Sequence, residues 1–171
     1  MTMRPSVRLR AMEPEDLDRL YRIENDPDLW GVGTTNVPYS RYALHDYIAT
    51  SSADIYTDRQ VRLMIEDEDT QMVVGICDLT SFDPRHQRAE VGIVIERPYR
   101  CKGYAEVALE HLHNYAKGTL HLHQLYCIVA ADNNSAVRLF EKSGYKTSHR
   151  LAEWLAEGNG FTDAVLMQRL F

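Results

Sequence analysis

The chain has 171 residues, 44% of them hydrophobic and 26% charged, with a net charge of −6 and a pI of about 5.6. That length suits one domain with one core, and the composition excludes a disordered or collagen-like body. Lys and Arg do not cluster, so the basic face of a nucleic-acid binder is not expected; the acidic balance favours solubility first, and a cationic partner through its steering field second.

Val7–Arg10 reads as the first strand. Pro14 then falls where the first turn of a helix tolerates a missing N–H, and Leu17, Leu20, Tyr21 and Glu24 follow at helical spacing. Residues 25–40, rich in Gly, Pro, Asn and Asp, read as a long loop of the kind that often carries function. Ser40 suits the N-cap of a second helix, with Ala43, Leu44, Tyr47 and Ile48 as its buried stripe. The period then drops to two: Val61, Leu63 and Ile65 alternate with polar neighbours. Residues 67–70 turn the chain, Met72–Thr80 returns, 81–87 loops, and Ala89–Ile95 is the next strand. A helix is expected over about Tyr104–Ala116, with Tyr104, Ala105, Ala108, Leu109, Leu112, Tyr115 and Ala116 on one face. Leu125–Val129 is a continuous apolar run, as in a central strand. Asn133 or Asn134 caps a helix to Ser143, and Gly144 supplies the left-handed stop. Tyr145–Leu151 and Asp163–Leu170, joined through 157–160, close the chain.

The order β-α-α-β-β-β-α-β-α-β-β predicts an α/β (α+β) fold with a mostly antiparallel meander, and 1–171 reads as a single domain without repeats or linkers. Cys77, Cys101 and Cys127 are odd in number and lack C-x-x-C spacing, as in reduced thiols of a cytosolic protein. The N-terminus is polar, and no run approaches the roughly 18 apolar residues of a membrane span; neither a signal peptide nor an anchor is expected. His111 and His113 do not share a helix face, and His121 and His123 lack a third ligand, so no metal is expected. Glu24, Asp26, Asp28 and Asp46 either line a mouth for a cationic acceptor or are solvated carboxylates near helix ends.

The segment Arg100-Cys101-Lys102-Gly103-Tyr104-Ala105 links a buried strand directly to a helix. The first N–H groups of that helix have no internal partner, and the helix dipole makes the space before them positive. Gly103 lets a ligand approach the backbone, and Arg100 and Lys102 add charge. Together these suit two linked phosphates. Neither a P-loop nor a G-x-G-x-x-G pattern is present.

"IVIERPYRCKGYA" (93–105) resembles the acetyl-CoA signature of the Gcn5-related N-acetyltransferases, and "NNSAVRLFEKSGY" (133–145) resembles their second signature, in the same order and at the expected separation. "RAEVGIVI" (88–95) and "EGNGFTDAVLMQRL" (157–170) are similar to the branch containing spermidine and ribosomal-protein alanine N-acetyltransferases. The resemblance implies a central sheet flanked by helices and splayed between the strands at 89–95 and 125–129. It implies acetyl-CoA as cosubstrate, with the pantetheine arm along Ile93, Val94 and Ile95. The diphosphate would lie on Arg100, Cys101, Lys102, Gly103, Tyr104 and Ala105, and further contacts would come from Asn133, Ala136 and Phe140. Transfer would go by direct attack of a primary amine, either a polyamine-like small molecule or a protein N-terminus, in a cytoplasmic protein able to form homo-oligomers.

An amine with a pKa of about 10.4 must lose a proton before it attacks. Glu90, in a strand that turns apolar, is the candidate base; its alternative is a carboxylate paired with Arg88 or Arg85. Many relatives place a tyrosine where this chain has Phe140, which leaves the proton for the departing thiolate to water, to Tyr145 or to Cys127. If none serves, the chain is a non-catalytic acyl-CoA-binding or sensing domain.

Overall fold

The computed structural model describes residues 4–30, 36–52 and 54–171. Seven strands form one sheet in the order β1-β2-β3-β4-β5-β7-β6. They are β1 (Val7–Ala11), β2 (Val61–Asp67), β3 (Met72–Asp83), β4 (Arg88–Ile95), β5 (Gln124–Ala130), β6 (Lys146–Glu157) and β7 (Gly160–Leu170). Every neighbouring pair is antiparallel except β4 and β5. The helices are α1 (Leu17–Glu24), α2 (Pro27–Trp30), α3 (Arg41–Thr50), α4 (Ile55–Asp58), α5 (Tyr104–Gly118) and α6 (Asn134–Lys142). Only α5 connects β4 to β5, and a crossover of this kind is what a parallel pair requires. Among the described residues no helix is long and apolar enough to cross a membrane.

The mixed sheet and the order of its strands and longer helices match the sequence reading. The differences lie at the ends of elements and in the additional single turns α2 and α4. Strand β3 continues past Thr80 to Asp83 through a bulge, because the Asp83 carboxylate caps the next turn by accepting from the N–H groups of Arg85 and His86. Strand β6 likewise runs on to Glu157, and two bulges along it absorb the register shifts. Inside the expected loop at 25–40, Pro27–Trp30 forms the single-turn α2, while 31–35 fall outside the described residues. In α3 only Leu44 of the expected stripe is buried.

The main core lies between α5 and one face of the sheet. Val107, Ala108, Leu109, Leu112 and Ala116 meet Ala89 and Val91 of β4, Leu125 and Cys127 of β5, and Met167 of β7. Tyr104, Ala105 and Tyr115, expected on this face, are only half-buried, whereas Val107 and His113 are buried with it. His113 is tolerated there because its ring meets the Tyr145 hydroxyl at 3.1 Å. A smaller cluster on the opposite face gathers Ile23 of α1 with Met64, Val73 and Ile76. The odd and even positions of β4 therefore serve different neighbourhoods, Ile93 and Ile95 one and Val94 the other.

Candidate active site

Strand β4 pairs with β3 as far as Ile95. With β5 it pairs only through Arg88↔Gln124, Ala89↔Leu125 and Glu90↔Tyr126. Beyond Glu90 the two strands part, while β5 stays paired with β7 to Ala130. One edge of Val91–Ile95 thus faces a gap rather than a strand, and apart from Ile95 O, which accepts from Arg100 Nε, its main-chain polar groups are left for another partner. Glu90 stands at the fork itself.

At the far end of β4 the chain turns into α5. Arg97–Tyr99 makes one 3-10 turn, Cys101 takes φ 59°, and Gly103, the N-cap of α5, takes φ 88°. This left-handed geometry is open to glycine and costs a cysteine on the order of 1 kcal/mol. It also turns successive N–H groups outward, the arrangement of an anion nest. Among the described residues, the main-chain N–H groups of Cys101 to Glu106 have no main-chain acceptor; the first bond is from Val107 N–H to Gly103 O. A Cβ at Gly103 would also crowd Pro5 Cδ, 3.3 Å away, so that ring would have to give slightly. The Arg100 side chain bends back, its Nε donating to Ile95 O at 2.9 Å, and Lys102 Nζ lies 5.9 Å over the Tyr99 ring.

Glu90 is half-buried, and burial alone pushes its carboxyl above the usual range. The expected alternative, a pairing with Arg88 or Arg85, is not what the fold adopts. Arg88 reaches Asp83 at 3.4 Å, and among the described residues Glu90 makes neither an ion pair nor a side-chain hydrogen bond. Register puts Thr80 and Tyr126 on either side of it. Two residues along the same face, Asp78 stands opposite Gly92 and Arg62 opposite Asp78. The Arg62 guanidinium donates to both oxygens of Asp78, at 2.7 and 3.0 Å, and also pairs with Glu24. The Tyr47 ring lies 5.8 Å from it. Of the four acidic residues singled out in the sequence, Glu24 is bound to Arg62 and Asp28 to Arg97, Asp26 caps the Asp28 N–H, and Asp46 is exposed.

A family model described as an acetyltransferase (GNAT) domain matches residues 6–146. The chain belongs to the GNAT acetyltransferase family. A spermidine N(1)-acetyltransferase of Vibrio cholerae is 26% identical over 157 residues, covering 91% of this chain and 88% of that protein. The crystal structure of spermidine N-acetyltransferase from Vibrio cholerae in complex with CoA and spermine matches with a TM-score of 0.87 at 25% identity, over 96% of this chain and 95% of that one. A dodecameric structure of the enzyme from the same organism matches with a TM-score of 0.81 at 25% identity, over 96% and 93%. The GNAT chain described here is an acetyl-CoA-dependent N-acetyltransferase acting on an amine.

In this GNAT domain the second signature forms α6. The Asn133 carboxamide oxygen caps that helix by accepting from Ala136 N–H at 3.2 Å and from Ser135 Oγ at 3.0 Å. Its amide nitrogen has no partner among the described residues. Ala136 lies in the first turn, half-buried. Phe140 is 4% exposed and packs edge-on against Tyr145, ring centroids 5.0 Å apart. Neither proposed substitute acid is placed to serve. Tyr145 is buried with its hydroxyl on His113, and burial pushes it far up; burial likewise pushes the Cys127 thiol up to about 12. Both belong to the core. No group of three or more potential metal ligands exists among the described residues.

Three features were not singled out from sequence: Arg62 with Asp78, Tyr47 beside them, and Asp67 on Tyr104. The first leaves a weak signal, a charged residue between apolar neighbours in each of two strands. The others depend on contacts between distant segments.

Proposed function

We propose that this enzyme acetylates a primary amine of a polyamine-like small molecule, with Glu90 as its base. The observation that carries the reading is the fork at Glu90, where a half-buried carboxylate without an ion-pair partner among the described residues opens onto an unpaired strand edge. The residues present fit a CoA thioester. The unpartnered amides of Cys101 to Ala105 suit the diphosphate, with Arg100 and Lys102 near it. The open edge at Ile93 and at Ile95 N–H suits the amides of the pantetheine arm, as does the Asn133 amide nitrogen, while Val94 pairs on the β3 side and Ala136 and Phe140 form the apolar wall. CoA brings the activated acetyl group and a thiol leaving group.

The protein's share of the chemistry follows from these positions. Glu90, directly or through one water, takes a proton from the acceptor ammonium, which frees the nitrogen to attack the carbonyl carbon. Its raised pKa brings it closer to a useful proton affinity. A main-chain N–H near Ile93 donates to the carbonyl oxygen as charge develops there. As the new C–N bond forms, the C–S bond breaks, and the nitrogen gives up its second proton to solvent water. With Phe140 unable to donate and Tyr145 and Cys127 held in the core, water supplies the proton to sulfur, a free thiol of pKa about 8.5 being a tolerable leaving group.

The polyamine reading is supported by the substrate named for the relatives and by the acceptor-side face. There Glu24, Asp78 and Glu90 outnumber Arg62, and the chain as a whole carries −6. The same relatives support a homo-oligomer, to which Trp154 and Phe161, both exposed on the β6–β7 hairpin, offer apolar surface. The test is thiol release from acetyl-CoA with spermidine, spermine and a peptide bearing a free N-terminus. Release with the polyamines and none with the peptide is expected. CoA binding without release, or release with the peptide alone, overturns the reading.

A further inference from the structure

Resting on the diphosphate reading above, we propose that Asp67 and Tyr104 are a positioning pair that holds the first turn of α5 at the orientation a diphosphate requires, and so set the enzyme's preference for CoA over a carrier lacking the diphosphate. Tyr104 is the first residue of α5, immediately after Gly103. Its hydroxyl donates to Asp67 Oδ2, on the last residue of β2. Asp67 is 7% exposed, and its other oxygen accepts from the N–H groups of Asp69 and Thr70, both at 2.9 Å. The carboxylate is thereby fixed in the β2–β3 turn, which is itself held on the sheet by the pairs Val7↔Asp67 and Asp67↔Met72. One side chain thus ties the amide-bearing turn to the rigid sheet.

Two further observations point the same way. The Tyr104 ring meets the Tyr99 ring edge-on, centroids 5.9 Å apart and planes at 90°. Residues 99 and 104 bracket the turn, so this contact closes it from the inside. Three donors are also aimed at the Asp67 carboxylate, which fixes its orientation while it stays ionised. The hydroxyl bond is the first cause holding Asp67 below the usual carboxylate range, and Tyr104 is in turn pushed up to about 12, so the donor keeps its proton at neutral pH.

The experiment compares kcat/KM for acetyl-CoA with kcat/KM for acetylpantetheine, which has no diphosphate. In Asp67→Ala and in Tyr104→Phe the ratio of the two is expected to fall about five- to tenfold, the loss of one charge-assisted hydrogen bond. The double variant falls no further, because both members act through the same bond. Asp67→Asn, which still accepts from the turn amides and can bond the Tyr104 oxygen, keeps the ratio near the wild-type value. Should Asp67→Ala not fold, Tyr104→Phe, which removes a single oxygen, carries the test. A ratio unchanged in Tyr104→Phe, or a fall in both substrates together, overturns the pair as a positioning device, as does an additive double variant. A wild-type enzyme with no preference for acetyl-CoA over acetylpantetheine overturns the diphosphate reading itself, and the pair with it.

Discussion

At the scale of single residues, Glu90 carries most of the chemical argument. Glu90→Gln is expected to lower kcat by about 10²-fold or more, the usual worth of a positioned base. The acid limb of the wild-type pH–rate profile should sit above the range of an ordinary glutamate, because burial raises this carboxyl. The same shift has a stability consequence. The stabilising neutral form is fully present below the unfolded pKa, and the advantage is lost as pH rises through the folded one. Glu90→Gln should therefore melt slightly higher than wild type at neutral pH, and a lower melting temperature would contradict the burial argument. Gly103→Ala meets both a left-handed φ and the Pro5 ring; a loss of about 1–2 kcal/mol is expected, with weaker CoA binding measured by calorimetry. Phe140→Tyr puts a hydroxyl back at the position many relatives use. If water already protonates the thiolate, thiol release stays unchanged; a marked rise in kcat would mean that this proton limits the wild-type enzyme.

His113 also belongs at this scale. Burial first, then Arg169, holds its imidazole down to about 4. The unfolded chain takes up this proton near pH 6.5, and the folded one only near 4. The contribution of His113 to stability is thus whole above pH 6.5 and lost as pH falls through that window. The melting temperature of His113→Gln should depend less steeply on pH between 6.5 and 4, and an equal slope would point to another group.

Among elements, α5 joins both halves of the site to the core. Leu112 is fully buried on it, and Leu112→Ala should cost about 2–5 kcal/mol in chemical denaturation. Elements were also where the sequence was most and least informative. The helix expected over about 104–116 carries a strong period and the strand at 89–95 an apolar run over 91–95, and both lie where expected. Single-turn α2 and α4 are too short to show a period, and the ends of β3 and β6 depend on side-chain caps that only the folded chain assembles. In β2, Arg62 occupies a polar position of an alternating pattern, which reads as solvent exposure, and Asp78 ends an apolar run in β3; that they neutralise each other beside the proposed acceptor face becomes visible only with the register. Tyr145 is the opposite case. Its residue type suggested an acid, but its hydroxyl answers a histidine 32 positions away in the sequence.

For the molecule as a whole, two ordered signatures were enough to anticipate the family and the splayed sheet, since both reside in short contiguous segments. The proposed acceptor side was not legible, because the residues assigned to it come from α1, α3, β2, β3 and β4, and the expected loop between α1 and α3 is partly outside the described residues. Three paired positions hold β4 to β5 before the strands separate. Three of the eight β4 positions along this middle seam are therefore zipped, and the other five are left without a strand beside them on that side. A carrier lying along the open stretch would act as a lateral splice, letting the two sides of the molecule share load. The folded state should then gain about 2.7 kcal/mol at a CoA concentration of 100 times Kd. Amide exchange should slow along residues 91–95, on the seam, more than in the distant β6–β7 hairpin.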